Sequence, residues 1–440
     1  MILSFSFTNY RSVKNKITLS MLPVKAFKEL PGNWFKTEAG INVLRTAVIF
    51  GANASGKSNV LRALNEFRKY IVNSTDLKVN QPITLFDPFL LDESTKQAPS
   101  VFYIQFFSED FIRHEYSIEI ISDKVLKEEL IYYPKGQKVN IFKRQAGNPI
   151  IFGSVLKGEK KSIEARLLPN QLFLSKGANE NIEILKGIYQ YFRDKIVEQL
   201  NFRNLYTESV VSNLIATFLK EKTADFILRI SKIIYALDTG ISSFEIRKGE
   251  GINLLHGFPD EVAQIINPNV FKDFEKELGY EILTYHKVFD PNGNEIKTIP
   301  FNIERESSGT RSLFLMAIFL IDAIDSGKVL YIDEFEQNLH PLLVRSLLTM
   351  FNNPAINKGN AQLIFTTHDI SLLTNELFRR DQIWFTEKNE RGITELFSMA
   401  DIDGVRNNIP FDKWYLSGRF GATPVINETQ AYYGDIQKSR

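Results

Sequence analysis

The hydrophobic and polar positions near the N-terminus predict short strands, followed by a loop and one amphipathic helix. Residues 2–7 (ILSFSF) and 17–19 (ITL) carry the partial alternation that is typical of strands. Residues 47–50 (AVIF) form a short apolar run that indicates a buried strand. The apolar residues that follow share one face of a predicted helix: Val60, Leu61, Leu64, Phe67 and Ile71.

The middle of the chain changes its periodicity twice. Residues 80–152 alternate in several short runs, which predicts antiparallel β-structure. Residues 180–237 have the spacing of helices, and residues 241–303 return to strand-like alternation. Within the last segment, residues 290–293 (DPNG) are a good hairpin turn.

The C-terminal part alternates between helices and strands, which indicates a mostly parallel sheet. The predicted elements are a helix at 309–325, a strand at 328–332, a helix at 341–351, a strand at 361–366, a helix at 371–378 and a strand at 382–385. The loop at 51–58 lies far from these elements in sequence, so a large insertion separates them. No sustained heptads occur there, which argues against a long coiled-coil arm.

Three units are predicted from this pattern. Residues 1–175 form the N-terminal part of a head with a β lobe, and residues 241–440 form its C-terminal part. Residues 176–240 form a compact helical insertion that we expect to serve dimerisation or partner binding.

Composition mainly excludes classes of protein. The chain has no cysteine, which excludes disulfides, thiolate metal sites and Cys nucleophiles. The net charge of +1 does not by itself indicate a nucleic-acid binder. The basic run at 157–166 is either a DNA-binding stripe or a solvated face. With no secretory leader and no apolar run of eighteen residues, we expect a cytoplasmic protein without a membrane partner.

The strongest chemical motif lies between the strand at 47–50 and the helix that follows it. Residues 51–58 (GANASGKS) match the phosphate-loop pattern G-x-x-x-x-G-K-S without a mismatch. Loop N–H groups and a helix N-terminus attract phosphates, Lys57 can neutralise the β- and γ-phosphates, and Ser58 can ligate Mg²⁺. The sequence therefore predicts bound ATP and Mg²⁺. The predicted nucleotide-binding residues are Gly51, Asn53, Ala54, Ser55, Gly56, Lys57, Ser58 and Asn59.

A second motif places two carboxylates at the end of a predicted buried strand, residues 329–334 (VLYIDE). Asp333 can hold the Mg²⁺ shell, and Glu334 can polarise the attacking water as general base. The alternative is an ordinary acidic surface turn. The presence of a phosphate loop in the same chain favours the catalytic interpretation, in which Glu334 and Lys57 carry the reaction.

Two further motifs depend on their position for an interpretation. Residues 307–309 (SSG) open a predicted helix, which is an anion-binding arrangement or an ordinary N-cap. Residues 364–369 (IFTTHD) end a predicted strand with His368, which is a catalytic group or a surface histidine.

The order of these four motifs resembles that of the ABC-type ATPases of the RecF, SMC and OLD group. The chain looks closest to the compact AbiL-type and OLD-like ATPases of bacterial anti-phage systems. Residues 9–12 (NYRS), 334–341 and 415–424 (YLSGRFGATP) add to this resemblance, which covers residues 1–110 and 300–426. It implies an α/β fold, namely an ABC-type P-loop head with an antiparallel β lobe. A mostly helical insertion separates the phosphate loop, which is the Walker A motif of this family, from the signature sequence.

The resemblance also assigns roles to the remaining motifs. Ser307, Ser308 and Gly309 correspond to the signature sequence, which binds the γ-phosphate held by the opposite subunit. His368 corresponds to the switch histidine, which contacts the γ-phosphate and orients the water. Residues 336–341 match the D-loop, which crosses to the partner subunit.

The resemblance implies further features of the family at residues outside these motifs. A glutamine that contacts Mg²⁺ is expected, and Gln105 is the candidate; Arg11 is either a phosphate contact or a surface arginine. OLD nucleases continue into a metal-binding nuclease domain, for which the segment after His368 is too short. The pair Asp401 and Asp403 fits Asp-x-Asp but lies in a predicted turn, so we expect any nuclease to be a separate chain.

These observations predict an ATP-hydrolysing sensor or regulator. The same resemblance implies its partners, a second copy of the chain and a separate effector. Two heads close on two ATP molecules, giving a homodimer or a higher homo-oligomer, and position a nuclease or toxin of an anti-phage system. The alternatives are a RecF-like DNA-binding repair ATPase and a scaffold that binds ATP with little turnover. Whether a nucleic acid also binds stays open.

Overall fold

The computed structural model describes residues 1–197, 219, 222–237, 239–248 and 280–424. Its strands are β1 (Ile2–Thr8), β2 (Ile17–Ser20), β3 (Trp34–Lys36), β4 (Asn42–Leu44), β5 (Thr46–Gly51), β6 (Ser100–Phe107), β7 (Arg113–Ile120), β8 (Val125–Tyr132), β9 (Val139–Gln145), β10 (Ile151–Phe152), β11 (Ile241–Lys248), β12 (Tyr280–Phe289), β13 (Glu295–Asn302), β14 (Val329–Ile332), β15 (Gln362–Thr366), β16 (Ile383–Lys388) and β17 (Thr394–Ser398). Its α-helices are α1 (Lys57–Asn73), α2 (Lys160–Ala165), α3 (Phe173–Asn179), α4 (Glu183–Gln190), α5 (Ala224–Ala236), α6 (Ser308–Ser326), α7 (Pro341–Asn352) and α8 (Phe411–Leu416).

A five-stranded sheet with the order β14-β15-β5-β16-β17 forms the centre of the head. All its neighbours are parallel except β17, which pairs antiparallel with β16 at the edge. Every residue of β5, β14 and β15 is buried, which explains their continuous apolar runs. The C-terminal ends of four parallel strands therefore meet at one edge of the sheet, where ligand sites form in such folds.

The β lobe is a seven-stranded antiparallel sheet with the order β10-β9-β8-β7-β6-β1-β2. Helix α1 packs against it with Phe67, whose ring centroid lies 5.7 Å from that of Phe5 and 5.8 Å from that of Phe102. The lobe and the central sheet are also joined by Gln362, a buried residue of β15. Its side chain accepts from the Ile2 N–H at 2.6 Å and donates to the Ile2 carbonyl at 2.9 Å.

The predicted fold class, an α/β P-loop head of the ABC type with an antiparallel β lobe, is confirmed. The predicted turn at 290–293 joins β12 and β13, two of the three strands of a smaller sheet, β11-β12-β13. No helix within the described ranges has the length and apolar character needed to cross a membrane.

The insertion predicted at 176–240 contains helices that pack in two different places. Tyr189 of α4 donates to the Val72 carbonyl of α1 at 2.9 Å, so α4 lies against the N-terminal part. In contrast, Arg229 of α5 pairs with Asp325 of α6. Residues 198–218, 220, 221 and 238 of this prediction lie outside the described residues. The unit boundaries at 175/176 and 240/241 stay predictions.

The prediction of a helix at 371–378 is wrong. The structure has only a short 3₁₀ turn, Ile370–Leu372, followed by irregular chain. Tertiary hydrogen bonds replace those of a helix: the Leu377 carbonyl accepts from Asn33 Nδ2 at 2.8 Å, and Asn375 donates to the carbonyl of another loop at 2.6 Å. The apolar residues of this segment are buried without helical periodicity because neighbouring segments cover them.

We expect Gln362→Leu to destabilise the protein, because it leaves the Ile2 N–H and carbonyl without their buried partner. An unsatisfied buried polar group costs about 1–3 kcal/mol, so the thermal unfolding midpoint should fall measurably. Gln97→Leu is the control, since Gln97 is exposed and such substitutions usually change stability by less than about 0.5 kcal/mol. Equal midpoints for the two variants would contradict a role for Gln362 in joining the sheets.

Candidate functional site

The phosphate loop connects β5 to α1 through backbone conformations that suit glycine. Gly51 and Gly56 have φ angles of 154° and 110°, and Ala54 is left-handed with φ 60°. A Cβ atom on Gly51 would lie 2.5 Å from the Thr386 carbonyl oxygen, and one on Gly56 would overlap the Thr394 side chain. Both glycines of the motif are therefore required by close approach of the C-terminal strands as well as by backbone geometry.

Two threonines from β16 and β17 hold the loop in this shape. The hydroxyls of Thr386 and Ser55 are hydrogen-bonded at 2.6 Å, and Thr394 Oγ1 donates to the Ser55 carbonyl at 2.8 Å. On the other side, Asn59 Nδ2 donates to Ser12 Oγ at 2.7 Å. Sequence reasoning did not identify Thr386, Thr394 or Ser12 as supports of the loop. The two threonines belong to no recognised motif, and Ser12 entered only as part of the resemblance at residues 9–12.

Lys57 is buried and folds back onto the loop that precedes it. Its Nζ donates to the carbonyls of Gly51 at 2.8 Å and Ala52 at 3.0 Å. Burial lowers the pKa of Lys57 to about 8, whereas the carboxylates of Asp333 and Glu334 favour its charged form. A phosphate group placed on this loop would stabilise the ammonium further and give it a charged partner.

Asp333, directly after β14, faces the start of α1. Its Oδ1 accepts hydrogen bonds from Ser58 Oγ at 3.1 Å and from Thr366 Oγ1 at 2.6 Å. The oxygens of Ser58 and Asp333 are the hard ligands that Mg²⁺ prefers, so this donor set fits the predicted metal. Thr366 also accepts from the Glu334 N–H at 2.8 Å, which makes it a support for both carboxylate residues.

Glu334 has a left-handed backbone with φ 53°, which is uncommon for a residue other than glycine. This conformation turns its side chain toward the end of β15, where Oε1 lies 3.8 Å from His368 Nε2. The His368 side chain is 39% exposed, and its backbone N–H donates to Glu336 Oε1 at 2.6 Å. The structure thus brings the predicted general base and the predicted switch histidine together.

The predicted signature sequence lies at the N-terminus of α6. Ser307 caps the helix by accepting from the Thr310 N–H at 3.1 Å, and Ser308 is exposed. A Cβ atom on Gly309 would lie only 2.8 Å from the Asn338 carbonyl oxygen. The signature therefore packs against the predicted D-loop of its own chain while its serines face solvent.

Two residues that were considered for the ATP site have partners elsewhere in the structure. Gln105 lies on β6 in the β lobe and donates to Glu115 Oε1 at 3.0 Å; its metal role stays a prediction. Arg11 forms an ion pair with Asp87, with 2.7 Å between Nε and Oδ2, which favours the interpretation as a surface arginine.

The other charged motifs have structural contacts of their own. Asp401 accepts from the Ser398 N–H at 3.2 Å within a short turn. In the part of the chain that the structure describes, no three His, Cys, Asp or Glu side chains are grouped as a metal site would need. In the basic run at 157–166, Lys161 pairs with Glu164 and Arg166 pairs with Glu180, which reduces the charge available for DNA.

A cavity of about 170 Å³ opens beside the phosphate loop and the histidine. It is lined by Phe50, Gly51, Ala52, Asn53, Thr367, His368, Ile370, Tyr415 and Pro424. Tyr415 and Pro424 come from the C-terminal motif at 415–424, for which the sequence offered no role. The structure therefore adds this motif to the surroundings of the site.

A family model described as "AAA domain, putative AbiEii toxin, Type IV TA system" matches residues 47–374, well over half of the chain. Two solved structures of the recombination mediator protein RecF are also similar. The ATPrS form is 13% identical, with a TM-score of 0.33 over 90% of this chain and 98% of that chain. The ATP form is 14% identical, with the same TM-score, over 90% and 99%. No curated protein matches the chain.

We expect Lys57→Ala to weaken ATP binding, because it removes the buried cation next to Gly51 and Ala52. A hydrogen bond to a charged group contributes about 1.5–3 kcal/mol, so the dissociation constant should rise by about tenfold or more. Calorimetry with Mg²⁺ and ATP measures this. Lys69→Ala, a more exposed lysine of the same helix, should bind as the wild type does. An unchanged ATP affinity in Lys57→Ala would show that the phosphate loop is not part of the ATP site.

Proposed function

The chain belongs to the AbiEii-type AAA domain family, within the ABC-type P-loop ATPases of the RecF and SMC group, and on that premise we propose that it binds and hydrolyses ATP as a regulator of a bacterial anti-phage defence system. One observation carries the catalytic part of this proposal. Lys57, Ser58, Asp333, Glu334 and His368 come from three distant segments and meet at one edge of the central sheet.

Each residue has a defined part in the proposed reaction. Loop N–H groups and Lys57 bind the β- and γ-phosphates, and Ser58 with Asp333 hold Mg²⁺. When bound, this ion neutralises part of the charge that develops on the phosphates. Glu334 accepts the proton of the attacking water, and His368 contacts the γ-phosphate. The distance of 3.8 Å between the Glu334 and His368 side chains supports their joint action on one water.

A dimer of heads is proposed because the relevant segments share one continuous face. Gly309 touches Asn338 of the D-loop, Glu336 of the same loop binds the His368 backbone, and His368 lines the cavity beside the phosphate loop. If a two-fold axis passes through this face, a segment of one copy meets a different segment of the other copy, and the same contact occurs a second time with the copies exchanged. Each exposed Ser308 would then meet the γ-phosphate held by the other copy, and ATP would join the two heads.

The cellular role follows from the family rather than from the site. The family description names an Abi toxin and a toxin–antitoxin system, which supports a defence role. We propose that closure of the heads on ATP positions a separate effector, a nuclease or a toxin, and that hydrolysis releases it. Co-purification of the tagged chain with the product of a neighbouring gene, in the presence of ATP and lost after Lys57→Ala, tests this.

We expect Glu334→Gln to retain ATP binding and to lose hydrolysis. The amide can still hold a water molecule but cannot accept its proton, and general-base catalysis contributes about 10²–10⁴-fold. Phosphate release and calorimetric affinity are measured on the same preparation. Glu395→Gln, at an exposed position of β17, should hydrolyse ATP at the wild-type rate. A wild-type rate in Glu334→Gln would remove Glu334 as the base.

We expect Ser308→Arg to prevent ATP-dependent dimerisation while each subunit still binds ATP. A bulky cation would replace the small donor at the shared phosphate, so closure and hydrolysis should both be lost. Analytical ultracentrifugation with ATP, in the Glu334→Gln background, measures the dimer. Ser162→Arg, on the exposed side of α2, is the matched control. A stable dimer with Ser308→Arg would contradict the sandwich arrangement.

The same hydrolysis assay separates the proposal from its alternatives. Turnover that rises strongly when duplex DNA is added would favour a RecF-like repair ATPase. Tight ATP binding without turnover in the wild type would favour a scaffold.

A further inference from the structure

The C-terminal motif, residues 415–424, is a compact loop that follows α8. Tyr415 Oη donates to the Ala422 carbonyl at 3.0 Å and so closes the loop. Gly418, Gly421 and Ala422 have left-handed φ angles of 74°, 68° and 58°. The glycines therefore allow the tight path that brings the chain back across the tyrosine ring.

Aromatic packing fixes this loop against β5, which leads into the phosphate loop, and against β16, which carries Thr386. The Tyr415 ring stacks on Phe385, with 5.6 Å between centroids and 13° between planes, and lies 6.3 Å from Phe50. Phe420 also packs against Phe385, with 5.6 Å between the ring centroids. Phe50 directly precedes Gly51, so the loop contacts the strand residue from which the phosphate loop begins.

The far end of the loop reaches the site itself. Tyr415 and Pro424 line the 170 Å³ cavity together with Ala52, Asn53 and His368. Ala52, which lines the cavity, also accepts a hydrogen bond from Lys57 Nζ at 3.0 Å. The cavity therefore adjoins a residue that Lys57 contacts, and Lys57 is the expected partner of the β- and γ-phosphates.

We propose that the segment 415–424 is a positioning element of the ATP site. Tyr415 and Pro424 form a wall that keeps His368 and the first half of the phosphate loop in the arrangement that turnover needs. They act through those residues and not on ATP directly. The inference has a structural half, that the wall holds His368 and the phosphate loop in place, and a catalytic half, that turnover needs this arrangement. Only the catalytic half rests on the proposed function.

The wall would hold one side of the segment 367–370, whose backbone is held elsewhere by the hydrogen bond from the His368 N–H to Glu336 Oε1 at 2.6 Å. After β15 the chain makes only a short 3₁₀ turn, Ile370–Leu372, and the His368 side chain is 39% exposed. Exposed parts of a loop open locally at a smaller free-energy cost than buried ones. Without Tyr415 and Pro424 the cavity would open to solvent, and His368 would sample positions away from Glu334.

Hydrogen–deuterium exchange of the full chain without nucleotide tests the structural half. Tyr415→Phe removes the bond to Ala422 but keeps the ring, and Pro424→Gly removes the end of the wall. Amide exchange in peptides covering 50–53 and 367–370 should accelerate by about tenfold or more, which corresponds to local opening made easier by about 1.4 kcal/mol. Leu416→Ala is the control, because Leu416 belongs to the same motif, is 66% exposed and does not line the cavity.

Steady-state kinetics on the same variants tests the catalytic half. We expect kcat to fall by about tenfold and ATP affinity to change by less than about twofold, since the loop positions groups that act after binding. Unchanged exchange in both variants, or equal acceleration in Leu416→Ala, would overturn the inference. So would a loss of affinity that accounts for the whole loss of activity. Accelerated exchange in both variants, together with a wild-type chain that does not hydrolyse ATP, would refute the proposed function and uphold the positioning of His368.

Discussion

Parallel register in the central sheet is the constraint on which the site depends. Ile332 of β14 pairs with Phe365 of β15, Thr366 pairs with Ile49 of β5, and Thr386 of β16 pairs with Gly51. Because these strands end side by side, the groups that follow them meet without any local sequence signal for contact. Parallel neighbours also require long connections, which gives room for the β lobe and the insertion between β5 and β14.

Within this frame, a neutral hydroxyl organises the acidic groups. Thr366 donates to Asp333 and accepts from the backbone of Glu334, so one side chain orients the predicted metal ligand and the left-handed residue beside it. The unusual φ of Glu334 breaks a local backbone rule at the point where chemistry is proposed. Such exceptions are expected at functional sites, where the surrounding structure offsets their cost.

Elements with strong periodicity were predictable from sequence: β5, α1, α6 and β14 follow apolar patterns that burial alone explains. The phosphate loop and the carboxylates were also predictable, because each chemical group lies within one short motif. The irregular chain at 371–378 was not predictable, since tertiary hydrogen bonds there outweigh the local preference for a helix. Thr386 and Thr394 had no signal, and the motif that contains Tyr415 indicated no role, because the importance of these residues comes only from contact with residues more than three hundred positions earlier.

The placement of β5 has a consequence for biosynthesis. Its two sheet neighbours, β15 and β16, are made long after it. Of the threonines that shape the phosphate loop, Thr386 lies in β16 and Thr394 follows in β17. A growing chain on the ribosome therefore carries the nucleotide motif without the sheet that gives it form. Contacts of such sequence separation form slowly, and the β lobe can assemble before them from hairpins. The proposed nucleotide site is thus completed well after its own motif has been made.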